Sequence, residues 1–376
     1  MSIKNTLSAT ILIFLLASVA APYAQGLTRR VPSEFASIQT AINASSVGDT
    51  VLVAPGDYPR GIQVDQAITV AGEIGGGIVR LAGASGSSAK LINFTFTTDL
   101  GSETVLVEAQ NNLEIQSCRF EGIAIGVSLA DAVEGVLVED CFFDRQIRGV
   151  EIKGLASLTI QGSEFEACQF AVAVDGDGDC PTGPAGPADP CAGGCPAIEI
   201  DDTEIRNCEV GILVESPHRL IIDRLMLRDV PTGISAQHCE LALSNSEFIG
   251  GSEGDTGING IGLAGVVEDC SFTGFETAIK VGDGDCPTHS SLVLGGSLSQ
   301  GNSFLNNTTH LRLEQDEPLL AELNYWGTTV CETVQAKIVG QQVARIADSQ
   351  FLFFIECTVP TTPARWGSIK KLGLGQ

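Results

Sequence analysis

The chain has 376 residues, 44% of them hydrophobic, and its 46 acidic against 21 basic side chains give a formal net charge of −25. The apolar share supports a large folded core, while the charge argues against nucleic acid and anionic lipid as partners, because binding either rests on Lys and Arg clusters. An acidic polysaccharide would be repelled in the same way unless calcium bridged the two.

Residues 1–25 read as a signal peptide: Lys4 supplies a charge, Leu7 to Ala20 is an apolar run, and Ala20 and Ala21 offer small residues for cleavage. The expectation is export to the periplasm, the medium or the surface of a bacterium, where the 12 cysteines meet disulfide-permitting conditions. No later stretch reaches the roughly 20 apolar residues of a membrane span. Residues 26–358 then form one elongated domain. It opens with Ile38, Ala41 and Ile42 at helical spacing behind Ser33 and Ser37 as candidate caps, a short amphipathic helix suited to covering the end of a stack. Gly48 to Tyr58 reads as a strand and turn, followed by the alternating pairs Ile62/Val64 and Ile68/Val70 and by looser strands around Val79, Phe94, Phe96 and Val105.

From Leu113 to Val281 one pattern of roughly 22 residues returns seven times, the mark of a solenoid. Phe120, Phe143, Phe165, Ile205, Leu227, Phe248 and Phe272 fill its central position. An aliphatic pair precedes each, as in Val136/Val138 and Leu220/Ile222, and in the last copy only Val267 remains because Gly265 takes the outer place. A small residue and a second pair follow, as in Val150/Ile152, Ile212/Val214 and, in the sixth copy, Ile261/Leu263. Ile and Val at period two fit strands, and no segment inside the repeats shows helical periodicity between breakers. The reading is all-β: a single-stranded parallel β-helix of about ten coils with an N-terminal helical cap. Residues 175–196, rich in Gly, Pro and Cys, must leave the third coil as a loop. A looser coil carries Phe304, Leu311 and Leu313, and residues 359–376 read as a tail with a basic end.

The motifs Phe35-x-x-Ile-Gln-x-Ala-Ile42, Gly48-Asp-Thr-Val-x-Val-x-Pro-Gly-x-Tyr58 and Ile68-Thr-Val-x-Gly72 resemble the opening of the pectin-lyase-like superfamily, which includes bacterial right-handed parallel β-helix repeat proteins. Asn324-Tyr-Trp-Gly327 resembles the element that closes many of them. The resemblance implies a right-handed coil, in line with the general crossover preference, and a C-terminal cap at Trp326.

Stacking brings equal positions of neighbouring coils to about 4.8 Å, the strand spacing. The outward column Gln116, Glu139, Gln161, Asp201, Asp223, Ser244, Glu268 and the next column with Asp202 and Arg224 thus cluster Asp201, Asp202, Asp223 and Arg224. Carboxylates this close can shift each other's pKa and act as acid and base, and the resemblance puts acids, calcium ligands and bases of such enzymes in this region. A solvated acidic face explains the same residues. A further column, Glu121, Asp144, Glu166, Arg206, Arg228, reads as a surface ion-pair ladder. The pectinesterase elements G-x-Q-A-V and L-G-R-P-W are missing, Asp201-Asp202 lacks the His and basic partners of a polygalacturonase, and Ser216-Pro-His218 stands where alginate epimerases use D-P-H.

Two Gly-Asp-Gly-Asp-Cys-Pro turns place Asp175, Asp177 and Asp179, and Asp283 and Asp285, on glycine backbone able to wrap calcium, the one cofactor suggested, although Gly186 stands where an EF-hand needs Glu. Cys180, Cys191, Cys195 and Cys286 suggest locally stapled loops and Cys331 with Cys357 a tied end, whereas Cys118/Cys141 and Cys168/Cys208 fall at equal places in adjacent coils, as disulfides or as stacked buried thiols. With two Met and four His, copper finds poor ligands. The functional expectation is an exported, non-catalytic binding or structural protein for polysaccharide or another cell-surface component; the alternative is a polysaccharide lyase or hydrolase.

Overall fold

The computed structural model describes residues 26–56, 58, 62–72, 79–81, 89–98, 103–107, 112–176, 195–251, 254–282, 291–295, 301–314, 319–321, 324–328, 330–340 and 343–346. Period-two alternation forces the repeat into short strands, and these assemble into three parallel sheets of 14, 9 and 12 strands among the described residues. The chain visits the sheets in turn, as in Ala197–Asp201, Glu204–Arg206 and Val210–Val214. Each strand then pairs with its counterpart one coil on: Ile198 with Leu220, Ile205 with Leu227 and Ile212 with Ile234. The fold is the expected parallel β-helix.

The central position of the repeat becomes an aromatic stack. Phe120, Phe143 and Phe165 lie with ring centroids 4.6 Å apart and planes within 4°. Ile205 and Leu227 continue the column, Phe248 and Phe272 resume it at 4.8 Å, and Trp326 follows Phe304 at 4.7 Å. Strand spacing dictates this face-to-face distance, and burial of whole rings outweighs the preference for offset packing. The small residue of the repeat has its reason here. A Cβ on Gly149 would lie 2.6 Å from the Phe165 ring and from the Ala171 carbonyl oxygen, so the backbone can press against the stack only without a side chain.

Between the first and second sheets the chain turns on one left-handed residue. Ser117, Asp140, Asp202, Arg224, Asn245 and Asp269 hold it with φ between 47° and 53°, a region where Asn and Asp are enriched. The next residue points inward and closes the corner. Ser163 Oγ donates to the Gln161 carbonyl and accepts from the Cys141 backbone N–H, and Ser246 does the same for Ser244 and Leu225. Asn302 and Asn324 carry the ladder on, Asn302 Oδ1 accepting from Cys270 N–H and Asn324 Oδ1 from Asn302 N–H. Cys118, Cys141 and Cys270 occupy the same column and, with Cys168, Cys208 and Cys239, are buried free thiols; for Cys118/Cys141 and Cys168/Cys208 this is the second of the two sequence alternatives, and for Cys239 it replaces the local pairing expected of the turn cysteines. Burial pushes the thiols of Cys239 and Cys270 up to about 12.

Two expectations are corrected. In the sixth coil the inward pair is Ile258 and Gly260, level with Ile234 and Ala236, not Ile261 and Leu263. Six residues separate Ile249 from Thr256 where three separate Arg228 from Thr232, so Gly257 takes the small position. Leu263, buried, fills the space beside Gly260. The Asn-Tyr-Trp-Gly element, second, does not close the stack. Trp326 is a member of the aromatic column, and beyond it come helix α2, Cys331–Ala336, and the strands Ile338–Gly340 and Val343–Ile346, which extend the third and first sheets. At the other end helix α1, Ile38–Asn43, starts at Ser37, whose side chain accepts from Thr40 N–H in a capping box, and buries Ile38, Ala41 and Ile42. Residues 1–25 and 359–376 lie outside the described residues.

Candidate functional site

Asp201 and Asp223 end successive strands of the first sheet and face each other in register. The corner residues that follow are Asp202 and Arg224, at φ 47° and 51°. From its corner Arg224 reaches both carboxylates: Nη2 lies 2.5 Å from Asp201 Oδ2 and Nη1 lies 2.5 Å from Asp223 Oδ2. Asp223 Oδ1 also accepts from Asn245 Nδ2 at 2.7 Å and Ser244 Oγ at 2.8 Å. The Asn245 hydrogen bond, with Ser244 and Arg224 behind it, holds the Asp223 carboxyl below the usual carboxylate range against the opposing effect of burial. Three of the four expected residues therefore meet as an ion-paired chain, and Asp202 is exposed beside them. A general acid needs its pKa raised toward the working pH, and Asp223 moves the other way.

The same logic runs along the outer rows. Gln116 Nε2 donates to Glu139 Oε2 at 2.7 Å, and Lys90 pairs with Glu114. In the second sheet Arg206 sits among Glu164, Glu166 and Glu204, the Glu166 contact measuring 3.0 Å, and that hydrogen bond raises the guanidinium pKa further. Arg145 pairs with Asp144 at 3.0 Å and Arg119 with Glu121. The expected ladder is centred on Arg206, which serves three carboxylates, whereas Arg119, Arg145 and Arg228 pair with one each.

A cluster on the third sheet was missed from sequence. Glu151 points outward yet is only 4% exposed. Its carboxylate accepts from Ser128 Oγ at 2.8 Å and pairs with Arg148 at 2.7 Å and Lys153 at 3.0 Å. Burial pushes its pKa up, but the Ser128 hydrogen bond and the two cations outweigh that and leave it lowered. The available signal was the segment Arg148-Gly-Val-Glu-Ile-Lys153, a lone acid between two cations within one strand. Arg148 also pairs with Asp175, so that proposed calcium ligand belongs to this network and ends the strand Phe170–Asp175. Asp177, Asp179, Asp283 and Asp285 lie outside the described residues, as do Cys180, Cys191, Cys286 and Cys357. Among the described residues no group of three or more His, Cys, Asp or Glu side chains is placed to hold a metal ion.

His218, in the Ser-Pro-His segment, is fully buried, with Nδ1 2.9 Å from Ser216 Oγ, and burial lowers its pKa. It is part of the core and does not present to a substrate.

These features define a parallel β-helix protein with ion-paired outer rows. The chain matches the family model described as adenovirus EB1 55K protein / large t-antigen over residues 70–182, less than half its length, which establishes no membership. No curated protein matches at a significant level. Among solved structures it is similar to the A-module of Azotobacter vinelandii mannuronan C-5 epimerase AlgE6, at 12% identity and a TM-score of 0.42, covering 76% of this chain and 93% of that one. It is also similar to a Yersinia enterocolitica family 28 exopolygalacturonase at 10% identity and a TM-score of 0.42, covering 76% and 78%. A third is the catalytic domain of a GH87 alpha-1,3-glucanase in complex with tetrasaccharides, at 11% identity and a TM-score of 0.43, covering 79% and 67%. Likeness at this level decides nothing about activity. No described helix is long and apolar enough to cross a membrane.

Proposed function

We propose that this is an exported, non-catalytic β-helix protein whose outer rows bind an extended polysaccharide. The observation that carries the reading is the Asp201, Arg224, Asp223 chain: one guanidinium ion-pairs with both carboxylates placed for acid and base work, and Asp223 is held in its ionised form. Such a chain keeps a face polar and fixed without supplying a proton donor. Carboxylates, amides and hydroxyls recur along the first sheet at about 4.8 Å, the strand spacing, a regularity that suits a polymer with repeated hydroxyl groups. The net charge of −25 favours neutral or cationic polymers, and calcium at the two acidic turns is the route by which a polyuronate would bind.

Affinity electrophoresis of the protein lacking residues 1–25 against neutral, cationic and polyuronate glycans, with and without calcium, tests the reading. Retention by a neutral or cationic polymer, weakened by Arg224→Ala, is expected. Unchanged mobility in every gel would overturn it.

A further inference from the structure

The third sheet reverses the charge of the molecule over four successive strands, Thr232–Gln237, Thr256–Ile261, Thr277–Gly282 and Thr309–Glu314, which pair in register. Their first residues are all Thr, their fourth are Ser235, Asn259, Lys280 and Arg312, and their sixth are Gln237, Ile261, Gly282 and Glu314. The fourth residues stand outward between buried neighbours and form one row at about 4.8 Å, the strand spacing. Glu314 is the one carboxylate at these places, in a chain with 46 acidic and 21 basic side chains. It pairs with Lys280 at 3.0 Å, a surface contact worth little, and two cations against one carboxylate leave a single positive charge in excess.

A second observation concerns the partners in that row. Arg148, Arg206 and Arg224 each reach two or more carboxylates, whereas Arg312, half-buried, meets none among the described residues. Its Nε is shut off from water with no acceptor, and two coils back Asn259 Oδ1 is shut off with no donor. Buried polar atoms are nearly always paired, and leaving one unpaired is costly. Here an orphan donor and an orphan acceptor flank a lysine in one row. One ligand answers both as the side chains turn onto it: an oxyanion for the cations and a hydroxyl beside it for the amide.

We propose that this row binds a sulfate ester carried by a saccharide. The ester oxygens accept from Lys280 Nζ and the Arg312 guanidinium, and a hydroxyl of the same sugar chain donates to Asn259 Oδ1. A sulfate monoester carries the one negative charge that the local excess matches. Its three free oxygens can accept from Nζ, Nε and Nη together, where a carboxylate offers only two. The site lies on the third sheet, apart from the Asp201, Arg224, Asp223 chain on the first, and does not depend on that chain binding anything. It overcomes locally the repulsion that a net charge of −25 imposes on a polyanion.

The test is affinity electrophoresis of the full chain in gels holding dextran sulfate, carboxymethyl dextran of equal charge, or dextran, with a calcium chelator throughout. Dextran sulfate is expected to retard the parent, and carboxymethyl dextran to retard it less. Arg312→Gln and Lys280→Gln should each weaken retention by dextran sulfate about tenfold or more, as expected for loss of a charge-assisted hydrogen bond, with Tm unchanged. Glu314→Gln should strengthen it, a gain that a purely structural role for the two cations would not give and that needs neither cation altered. Retention by dextran, if weakened by Arg224→Ala and untouched by Arg312→Gln, keeps the first-sheet reading separate from this one. Galactose 6-sulfate should displace dextran sulfate better than sodium sulfate, which brings no hydroxyl for Asn259. Absence of retention by dextran sulfate, equal retention of the parent and both glutamine variants, carboxymethyl dextran bound as tightly, or sodium sulfate displacing as well as the sugar ester would each overturn the proposal.

Discussion

Acidification should loosen the C-terminal part of the stack through one residue, His310. Its ring is 1% exposed and lies 5.9 Å, centroid to centroid, from both Phe304 and Trp326. Burial first, and then the charge of Lys337, lowers its pKa to about 4 from an ordinary 6.5. Above pH 6.5 the imidazole is neutral in both folded and unfolded chains, and folding loses nothing to it. Between pH 6.5 and 4 the unfolded chain binds the extra proton, so stability falls as pH falls. The span of about 2.5 units, at 1.36 kcal/mol each, amounts to about 3 kcal/mol by pH 4. Urea unfolding at intervals from pH 7.5 to 4 should therefore show the parent losing about 3 kcal/mol more than His310→Gln, other titrating groups being common to both. Parallel pH profiles for the two proteins would refute the reasoning.

Gly149→Ala forces a Cβ into the Phe165 ring and the Ala171 carbonyl and should cost about 1–3 kcal/mol by chemical denaturation, an overpacking penalty. Glu151→Gln removes the shared charge from Arg148 and Lys153 while keeping the Ser128 contact, and a loss of about 2 kcal/mol at pH 7 is expected from the same assay. Cys118, Cys141, Cys168, Cys208, Cys239 and Cys270 should resist a thiol-reactive dye in the native protein and all react in denaturant; labelling of any of them within the native dead time would contradict their burial.

The aromatic column could be read from sequence because stacking demands the same side chain at the same place in every coil, so Phe120, Phe143 and Phe165 announce both period and inward face. Inward pairs followed for the same reason. The sixth coil resisted because two Gly-Ile steps compete, Gly257-Ile258 and Gly260-Ile261, and only the longer turn after Ile249 and the packing of Leu263 beside Gly260 decide between them. Clustering of Asp201, Asp223 and Arg224 was visible as adjacent columns. That Arg224 would bridge both acids was not, since it depends on the left-handed corner from which its side chain starts. Glu151 escaped notice because outward positions are normally wet, and its burial depends on what surrounds it in three dimensions. The hydrogen-bonding role of Ser163, Ser246, Asn302 and Asn324 was hidden behind their small size, which the repeat registers without revealing what the polar atoms bind.

The claim that the Asp201, Asp202, Asp223, Arg224 group binds without reacting is tested most directly by product-resolved chromatography. The parent protein is incubated for a day with each glycan that retains it, with and without calcium, and monitored for unsaturated ends and new reducing ends. The account predicts intact polymer in every incubation. Turnover that disappears in Asp202→Asn or Asp223→Asn would contradict it and identify the group as the active site of a lyase or hydrolase.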